Sequence, residues 1–370
     1  MKVLHVITGL VPGGAENQLR LLLRHTRHEA VVVTLTNPGS VAAAIRSEGT
    51  PVVHLGMRSN RDLSAIPKLR RVMRERACDV AHTHLYRACL YGRVAARLAG
   101  VARVVATEHS LGDGYIEGRR TTAASRLLYL ASERMSDATI AVSRTARDRL
   151  VAWGVPAAKV RVVPNGIDLD ALAFDPGARL AARRQLELPP SATVIGAVGR
   201  LDPVKRFDVL LDAAIPLLGH DVRLLVVGQG PARAALAERI REAGVAPYVV
   251  LAGERADVAP LLFAMDMLVA PSASETFGLA AIEALAAGLP VLYDQCPAIE
   301  ELPDRAASKA TRVAGGTAEL RAAIAAAMER ISGGRESPPA VAERFSIRAC
   351  SRAVDHVYEG LFGPQAELPR

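Results

Sequence analysis

Four charged residues in the second half of the sequence have types and spacings that suit a substrate carrying a diphosphate. Arg200 and Lys205 follow a predicted strand over residues 193–198, and open α/β sheets bind ligands where their strands end. An arginine fork and a lysine ammonium group together could neutralise a departing diphosphate without a metal ion. The alternative for this pair is a solvated loop that carries two surface cations.

Two carboxylates follow a later strand. Glu275 lies at the entrance of a predicted helix over residues 279–287, and Glu283 lies inside that helix among alanine, isoleucine and leucine. A carboxylate in such an apolar setting needs a partner, which a ribose diol could supply. The alternatives are charge complementarity with the helix N-terminus for Glu275 and a buried ion pair for Glu283. Their occurrence beside Arg200 and Lys205 favours one common site.

Glycine-rich turns follow three of the predicted strands. Gly13-Gly14 separates the first strand from the first helix, where either an anion or the turn itself would favour glycine. Gly228 and Gly230 follow a strand of the second half, and Gly253 follows the next one. The match to a dinucleotide fingerprint is weak, because Arg233 occupies the third glycine position. The turns predict nucleotide binding in the second half and disfavour an NAD-binding first domain.

Short apolar runs alternate with longer helical patterns along nearly the whole chain. Continuous apolar runs indicate parallel strands that helices cover on both faces. The predicted strands are 3–7, 30–35, 52–55, 80–82, 103–107 and 139–142 in the first half, and 193–198, 223–227, 248–251, 267–269 and 291–293 in the second. The sequence therefore predicts an α/β protein with two doubly wound parallel-sheet domains that face each other across a cleft.

A break in this rhythm sets the domain boundary. Proline and glycine at residues 164–168 are followed by a polar segment, and the strand pattern restarts at residue 193. We predict an N-terminal domain over 1–168, a second domain over 169–346, and a C-terminal helix within 347–370 that packs back across the boundary.

The composition of the 370 residues excludes several protein classes. Half are hydrophobic but 4% are aromatic, which is typical of helix-covered sheets built from Ala, Val and Leu. The 4 cysteines are scattered, so neither a disulfide framework nor a zinc finger is indicated, and a cytoplasmic location is predicted. The net charge of +8 comes without aromatic platforms or a nucleic-acid module, so we predict no nucleic-acid partner.

Together these motifs resemble family 4 retaining glycosyltransferases, which have the GT-B fold of two Rossmann-like domains. The resemblance rests on Gly13-Gly14, on Gly199-Arg200-Leu201 with Lys205, and on Glu275-Thr276-Phe277-Gly278-Leu279. The spacing from Glu275 to Glu283 is similar to the EX7E motif of that family. The segment at 164–168 is similar to its interdomain linker.

The resemblance implies a role for each of these residues. Arg200 and Lys205 would bind the donor diphosphate, Glu283 the ribose, Glu275 the sugar hydroxyl groups, and the amides of Phe277, Gly278 and Leu279 the phosphate or sugar. The N-terminal domain would lie on the acceptor side, and Gly14 would close over the donor. The pocket around Gly228, Gly230 and Gly253 would select the nucleotide.

Histidines end two strands of the first domain. His109 aligns with a histidine that the family directs at the transferred sugar, and the alternative is a solvent-facing strand end. His82 and His84 end another strand on the same side, and this pair could suggest a metal, but no third ligand is apparent in the sequence.

An Asp-Leu-Asp sequence at 168–170 looks like the DxD motif of metal-dependent transferases. It lies in the predicted hinge, and Arg200 and Lys205 already supply the positive charge that a metal would provide. We therefore predict no metal site and no cofactor apart from the donor.

The implied reaction is transfer of a hexose from a nucleotide-diphosphate sugar, with UDP favoured over GDP, with retention at the anomeric carbon. The acceptor would be a hydroxyl group of a glycan, a lipid-linked molecule or a secondary metabolite. The alternatives are a nucleotide-binding oxidoreductase, a sugar-nucleotide epimerase and a noncatalytic sugar-nucleotide sensor.

Basic patterns at 61–76 and 118–134 either are solvated or contact an anionic membrane. Such contact would make the protein peripheral at the inner face of the membrane.

Overall fold

The chain divides into two compact units. The computed structural model describes residues 1–112, 114–117, 119–255, 257–302, 308–331, 335 and 344–363. Unit 1 comprises Met1–Gly166 and Phe345–Arg370, and unit 2 comprises Ile167–Arg344. The last seven residues of the predicted C-terminal segment, 364–370, and Gly118 of the second basic pattern lie outside the described residues.

Unit 1 is a doubly wound parallel sheet. Its seven strands, in the spatial order β3-β2-β1-β4-β5-β8-β9, are β1 (Lys2–Ile7), β2 (Glu29–Thr34), β3 (Val52–His54), β4 (Val80–His84), β5 (Arg103–Glu108), β8 (Ala138–Ala141) and β9 (Val160–Val162). Strands β6 (Tyr115–Ile116) and β7 (Arg119–Arg120) form a separate antiparallel pair. The helices are α1 (Gly14–His25), α2 (Gly39–Ser47), α3 (Ala65–Arg76), α4 (Tyr86–Ala99), α5 (Ala123–Glu133), α6 (Arg144–Trp153) and the C-terminal α14 (Ile347–Gly360).

Unit 2 repeats this architecture with six parallel strands. In the spatial order β12-β11-β10-β13-β14-β15, they are β10 (Thr193–Val198), β11 (Val222–Val227), β12 (Val249–Gly253), β13 (Met267–Ala270), β14 (Val291–Tyr293) and β15 (Ala310–Arg312). The helices are α7 (Pro176–Gln185), α8 (Phe207–Ala214), α9 (Arg233–Glu242), α10 (Ala259–Ala264), α11 (Leu279–Ala286), α12 (Pro297–Glu300) and α13 (Thr317–Met328). The two sheets confirm the predicted α/β class of both halves.

The predicted strands are confirmed. Most of their apolar runs are buried in the sheets, and the valines and leucine of the edge strands β3 and β12 are partly buried. Strands β9 and β15 were not predicted, and the reason is visible in their exposure. Two of the three residues of each are exposed, so neither strand produces a continuous apolar run. Both lie at the edge of their sheet, where one side of the strand has no neighbouring strand.

The C-terminal helix α14 packs into unit 1. Its apolar residues Val354 and Tyr358 join the core cluster that contains Val3 and Val80. On the polar side, the hydroxyl group of Thr26 donates to Asp355 over 3.0 Å. The helix thus completes the hydrophobic layer on one face of the sheet, which α1 also covers.

Gly166 lies where α1, α14 and the end of the first domain meet. Its backbone N–H donates to Gln18 Oε1 over 2.9 Å, and its carbonyl group accepts from Gln18 Nε2 over 2.5 Å. A Cβ atom at this position would lie 2.5 Å from the Cα atom of Ile347 and 2.9 Å from the Cβ atom of Cys350. Since the first of these contacts is with backbone, a side chain here must displace α14.

We expect Gly166→Ala to destabilise unit 1 by about 1–3 kcal/mol, the usual cost of overpacking a tight contact. The measurement is the thermal unfolding midpoint. Gly360→Ala is the matched control on α14, because a Cβ atom there meets no atom within 4 Å. Equal midpoints for the two variants would contradict the close packing of α14 on Gly166.

Candidate active site

An ion pair joins two loops at the carboxyl edge of the unit 2 sheet. Lys205 lies in a 3₁₀ turn after β10, and Glu275 lies in the loop after β13, the strand beside β10. Lys205 Nζ donates to Glu275 Oε1 over 2.5 Å. The two side chains keep 28% and 17% of their surface exposed. A partly exposed pair of this kind contributes little to stability, so a bound anion can replace one of its members at small cost.

Arg200 lies in the same loop as Lys205 but is held apart from the ion pair. Its Nε donates to Asp202 Oδ2 over 2.9 Å, and 65% of its side chain is exposed. The structure therefore brings Lys205 and Glu275 into contact and leaves Arg200 on the surface of the loop, paired with its own neighbour.

The backbone of residues 228–230 packs against the Arg200 loop, and Gly253 is hydrogen-bonded to Gly228. The amide of Leu201 donates to the carbonyl group of Gln229 over 2.9 Å. The amide of Gly228 donates to the carbonyl group of Gly253 over 2.8 Å. A Cβ atom on Gly228 would lie 1.9 Å from the carbonyl oxygen of Gly199, and one on Gly230 would lie 2.5 Å from that of Leu201. Gly228 also has a φ of +145°. The loop after β11 can thus approach the loop after β10 this closely only with glycine at these positions.

Glu283 lies in α11, behind the loop that carries Glu275. It is partly buried, and among the described residues no side chain donates a hydrogen bond to it or forms an ion pair with it. Burial raises the pKa of its carboxyl group from the ordinary value to about 7. The buried ion pair considered from the sequence is therefore not formed within the described part of the chain.

Residues 277–279 form the start of α11. Gly278 is the N-cap, with a φ of +99°, and Leu279 is the first helical residue. Phe277 is buried, and its carbonyl group accepts a hydrogen bond from the amide of Ala298 over 3.0 Å. This contact fixes the backbone of the segment at the helix entrance, where N–H groups favour a negatively charged ligand.

Two further residues position the site, and the sequence analysis did not identify either. Arg206, which follows Lys205, donates from Nη1 to Asp294 Oδ2 over 2.7 Å, and from Nη2 to the carbonyl group of Gly315 over 3.2 Å. Arg206 itself has a left-handed backbone with a φ of 53°. Asp294 directly follows β14, so its place at a strand end was a signal that could have been used. The pair ties the Lys205 segment to the β14 end of the sheet.

Unit 1 carries the predicted histidines at the carboxyl ends of its strands. His109 Nε2 lies 3.2 Å from His84 Nδ1, and among the described residues His109 Nδ1 has no hydrogen-bond partner. Burial lowers the pKa of His109 to about 4, so the ring is neutral. His82 is bound differently, with Nδ1 2.6 Å from the hydroxyl group of Tyr358 and Nε2 2.7 Å from that of Thr107.

No third ligand for His82 and His84 is apparent in the sequence, and the structure places His5 beside them. The parallel register of β1 and β4 places His5 opposite His82, and one nitrogen from each of His5, His82 and His84 lies within 4.8 Å of the others. The sequence did not reveal this neighbour, because His5 belongs to the first strand and is far from the pair along the chain.

The remaining predicted residues occupy turns. Gly14 begins α1, and Gly13 is its N-cap with extended backbone. A Cβ atom on Gly13 would lie 2.4 Å from Glu16 Oε2, so the Glu16 side chain folds back over the start of the helix. In the Asp-Leu-Asp sequence, Asp168 Oδ1 accepts from the amide of Ala171 over 3.2 Å, which is a local turn contact.

Comparison with known proteins identifies the family of the chain. Residues 12–171 match the family model Glycosyltransferase Family 4, and residues 192–332 match the model Glycosyl transferases group 1. The chain belongs to glycosyltransferase family 4. The matches cover most of both halves of this family 4 member, including His82, His84 and His109 of unit 1 and the charged residues of unit 2.

A curated relative of this family 4 chain is D-inositol 3-phosphate glycosyltransferase of Mycobacterium tuberculosis. The two are 35% identical over 234 residues, which make up 58% of this chain and 46% of that protein. The chain thus spans about half the length of the curated relatives it matches.

Solved structures assign the GT-B fold to the family 4 chain. HepE of Anabaena, determined in complex with UDP-glucose, has a TM-score of 0.83 at 22% identity and covers 97% of this chain and 100% of that one. Sucrose-phosphate synthase of Thermosynechococcus elongatus has a TM-score of 0.78 at 21% identity, with coverages of 98% and 99%. Within the described residues, no helix of this glycosyltransferase family member has the length and apolar character that a membrane span requires.

Proposed function

We propose that this chain transfers a sugar from a nucleotide-diphosphate donor to a hydroxyl group, with retention at the anomeric carbon and without a metal ion. The observation that carries the proposal is the Lys205–Glu275 ion pair at the carboxyl edge of unit 2, with Glu283 behind it, which has no partner among the described residues. Membership of family 4 supports sugar transfer, and HepE, solved with UDP-glucose, supports UDP as the nucleotide.

The proposed donor site separates the charges of the ion pair. The diphosphate takes the place of Glu275 beside Lys205, and Arg200, which is mostly exposed, turns from Asp202 to the same phosphates. Glu275 then accepts hydrogen bonds from the sugar hydroxyl groups. Glu283 accepts from the ribose diol, and the amides at the start of α11 contact the phosphate or sugar.

Retention follows if the acceptor attacks from the face that the leaving group vacates. The bond from the anomeric carbon to the phosphate oxygen breaks, and the bond to the acceptor oxygen forms on the same side. The acceptor proton passes to the departing phosphate oxygen, so no nucleophilic side chain is required. Lys205 and Arg200 stabilise the charge that develops on the diphosphate, which is the role a metal has in other transferases.

The acceptor and the membrane remain predictions from the sequence. A glycan, a lipid-linked molecule or a secondary metabolite would each supply the hydroxyl group. For peripheral contact with an anionic membrane, α5 is the better of the two basic patterns, because Leu127 and Leu128 are 69% and 56% exposed. In the pattern at 61–76, Leu63 is exposed, but Leu69 and Met73 are buried in the core.

We expect Lys205→Met to reduce consumption of UDP-glucose at least about a hundredfold in excess EDTA, because one cation that stabilises the leaving diphosphate is lost. The assay follows release of UDP with a mixed panel of hydroxyl acceptors. Lys68→Met, at an exposed lysine of α3, is the control for loss of one positive charge. Near-normal turnover of Lys205→Met would contradict the donor site, and loss of wild-type turnover in EDTA would contradict metal independence.

We expect the affinity for UDP-glucose to rise with pH between about 6 and 8 and then level off. The Glu283 carboxyl group has a pKa of about 7 in the free protein. Ribose hydroxyl groups that donate to the carboxylate favour its charged form, so binding lowers this pKa and releases a proton. For each unit by which binding lowers the pKa of Glu283, the affinity for UDP-glucose rises by up to tenfold across this pH range.

Isothermal titration across this pH range measures the effect, and Glu283→Gln is the matched variant. UDP-glucose is the suitable ligand because both phosphates are esterified and keep a constant charge over the range. The glutamine variant should show a flat profile. A pH profile shared by wild type and variant would show that another group titrates.

A further inference from the structure

A hydrogen-bonded row of histidines runs across unit 1 to His109. Strands β1, β4 and β5 are parallel neighbours, with His5 opposite His82 and His84 opposite Thr107. Because side chains alternate along a strand, His5, His84 and His109 all lie on the same face of the sheet. That face is the one covered by α14, whose Tyr358 contacts His82.

The rings of His5, His84 and His109 are joined through both nitrogens of the middle one. His5 Nδ1 lies 3.0 Å from His84 Nε2, and His84 Nδ1 lies 3.2 Å from His109 Nε2. The ring centroids are 5.3 Å and 5.5 Å apart, in stacked arrangements. We call His5, His84 and His109 the histidine row.

Hydrogen bonding accounts for these contacts better than a shared metal does. Two nitrogens that face each other at 3.0–3.2 Å need one proton between them, and a ligated nitrogen would lose that bond. His82, the third member of the cluster with metal-like spacing, already has both nitrogens bonded, to Tyr358 and Thr107.

The row couples the tautomers of its three rings. Burial keeps each ring neutral, since it lowers the pKa of His5 to about 3 and that of His109 to about 4 and holds that of His84 well below its ordinary value. A neutral imidazole has one N–H group and one bare nitrogen. When His84 donates to His5, it must accept from His109, which leaves His109 Nδ1 bare. When His84 donates to His109 instead, His109 Nδ1 carries the proton.

We infer that His84, backed by His5, is a positioning residue that orients the His109 ring and selects its tautomer. His109 Nδ1 is thereby fixed either as a hydrogen-bond donor or as an acceptor, and its ligand would be a sugar hydroxyl group. Among the described residues this atom has no partner, as expected for an atom reserved for a ligand. The inference rests on the proposed function for its ligand and on the row for its geometry.

Two substitutions at the same position separate positioning from simple loss of a ring. His84→Asn keeps a polar atom near the place of Nδ1, toward His109, whereas His84→Gln keeps one near the place of Nε2, toward His5. We expect His84→Asn to preserve the ratio of UDP-glucose affinity to UDP affinity within about threefold. His84→Gln should lower that ratio about tenfold, because the His109 ring loses its partner.

The readouts are titration calorimetry with UDP and with UDP-glucose, and ¹⁵N shifts of the His109 ring nitrogens, assigned with His109→Gln. Wild type should show one dominant His109 tautomer, and His84→Gln should show an average of two. His82→Gln is the control, because His82 lies on the same face but outside the histidine row. Its affinity ratio should match that of wild type.

Three other outcomes would contradict either the role of the histidine row or the proposed function. Unchanged His109 shifts and an unchanged ratio in His84→Gln, with normal donor binding by wild type, would overturn this inference alone. Wild type that binds neither UDP nor UDP-glucose would overturn the proposed function and with it the contact to sugar. Stoichiometric binding of Zn²⁺ alone, with loss of the ring N–H signals of His5 and His84, would replace the histidine row with a metal site.

Discussion

The hydrogen-bonded ion pair between Lys205 and Glu275 is the contact on which the candidate site depends. It joins the loops that follow two neighbouring strands, β10 and β13, and so brings a cation and an anion together at the carboxyl edge of the unit 2 sheet. Both side chains remain partly exposed, which places their attraction in the range of about 0–1 kcal/mol. A diphosphate with two negative groups can outcompete a single carboxylate for the lysine.

Other contacts hold the loops in place, so the ion pair can open without unfolding them. Arg206 is bound to Asp294 and to the carbonyl group of Gly315. The glycine turn at 228–230 lies against the backbone of 199–201. These contacts keep the loops rigid, and only the Lys205–Glu275 ion pair is exchanged when a ligand binds. Such an arrangement suits a binding site, because the ligand contacts preformed groups and displaces few of them.

Much of the fold could be predicted from the sequence, because a buried parallel strand is a continuous apolar run. The edge strands β9 and β15 could not, since most of their residues are exposed. Lys205, Glu275 and Glu283 could be proposed as a site from their spacing and from their position after strands. Their present contacts could not be derived in this way, because no local pattern pairs Lys205 with Glu275 or leaves Glu283 without a partner among the described residues.

The residues that the sequence analysis missed all depend on register or on contacts between distant segments. His5 reaches His84 only because β1 and β4 pair in register. The Arg206–Asp294 contact joins residues that are 88 positions apart. For Gly228, the sequence suggested a nucleotide loop or a turn, and the structure adds a steric requirement that arises from the neighbouring loop. Such pairings are set by how strands align, which local patterns do not record.

The most direct test of the exchangeable ion pair is the affinity for UDP, which has the diphosphate but no sugar, measured by titration calorimetry at low salt on wild type and on Glu275→Gln. If Glu275 occupies the place of the diphosphate, its neutralisation frees Lys205, and the variant should bind UDP more tightly than wild type, by up to about fivefold. Weaker or unchanged binding of UDP by Glu275→Gln would contradict the account.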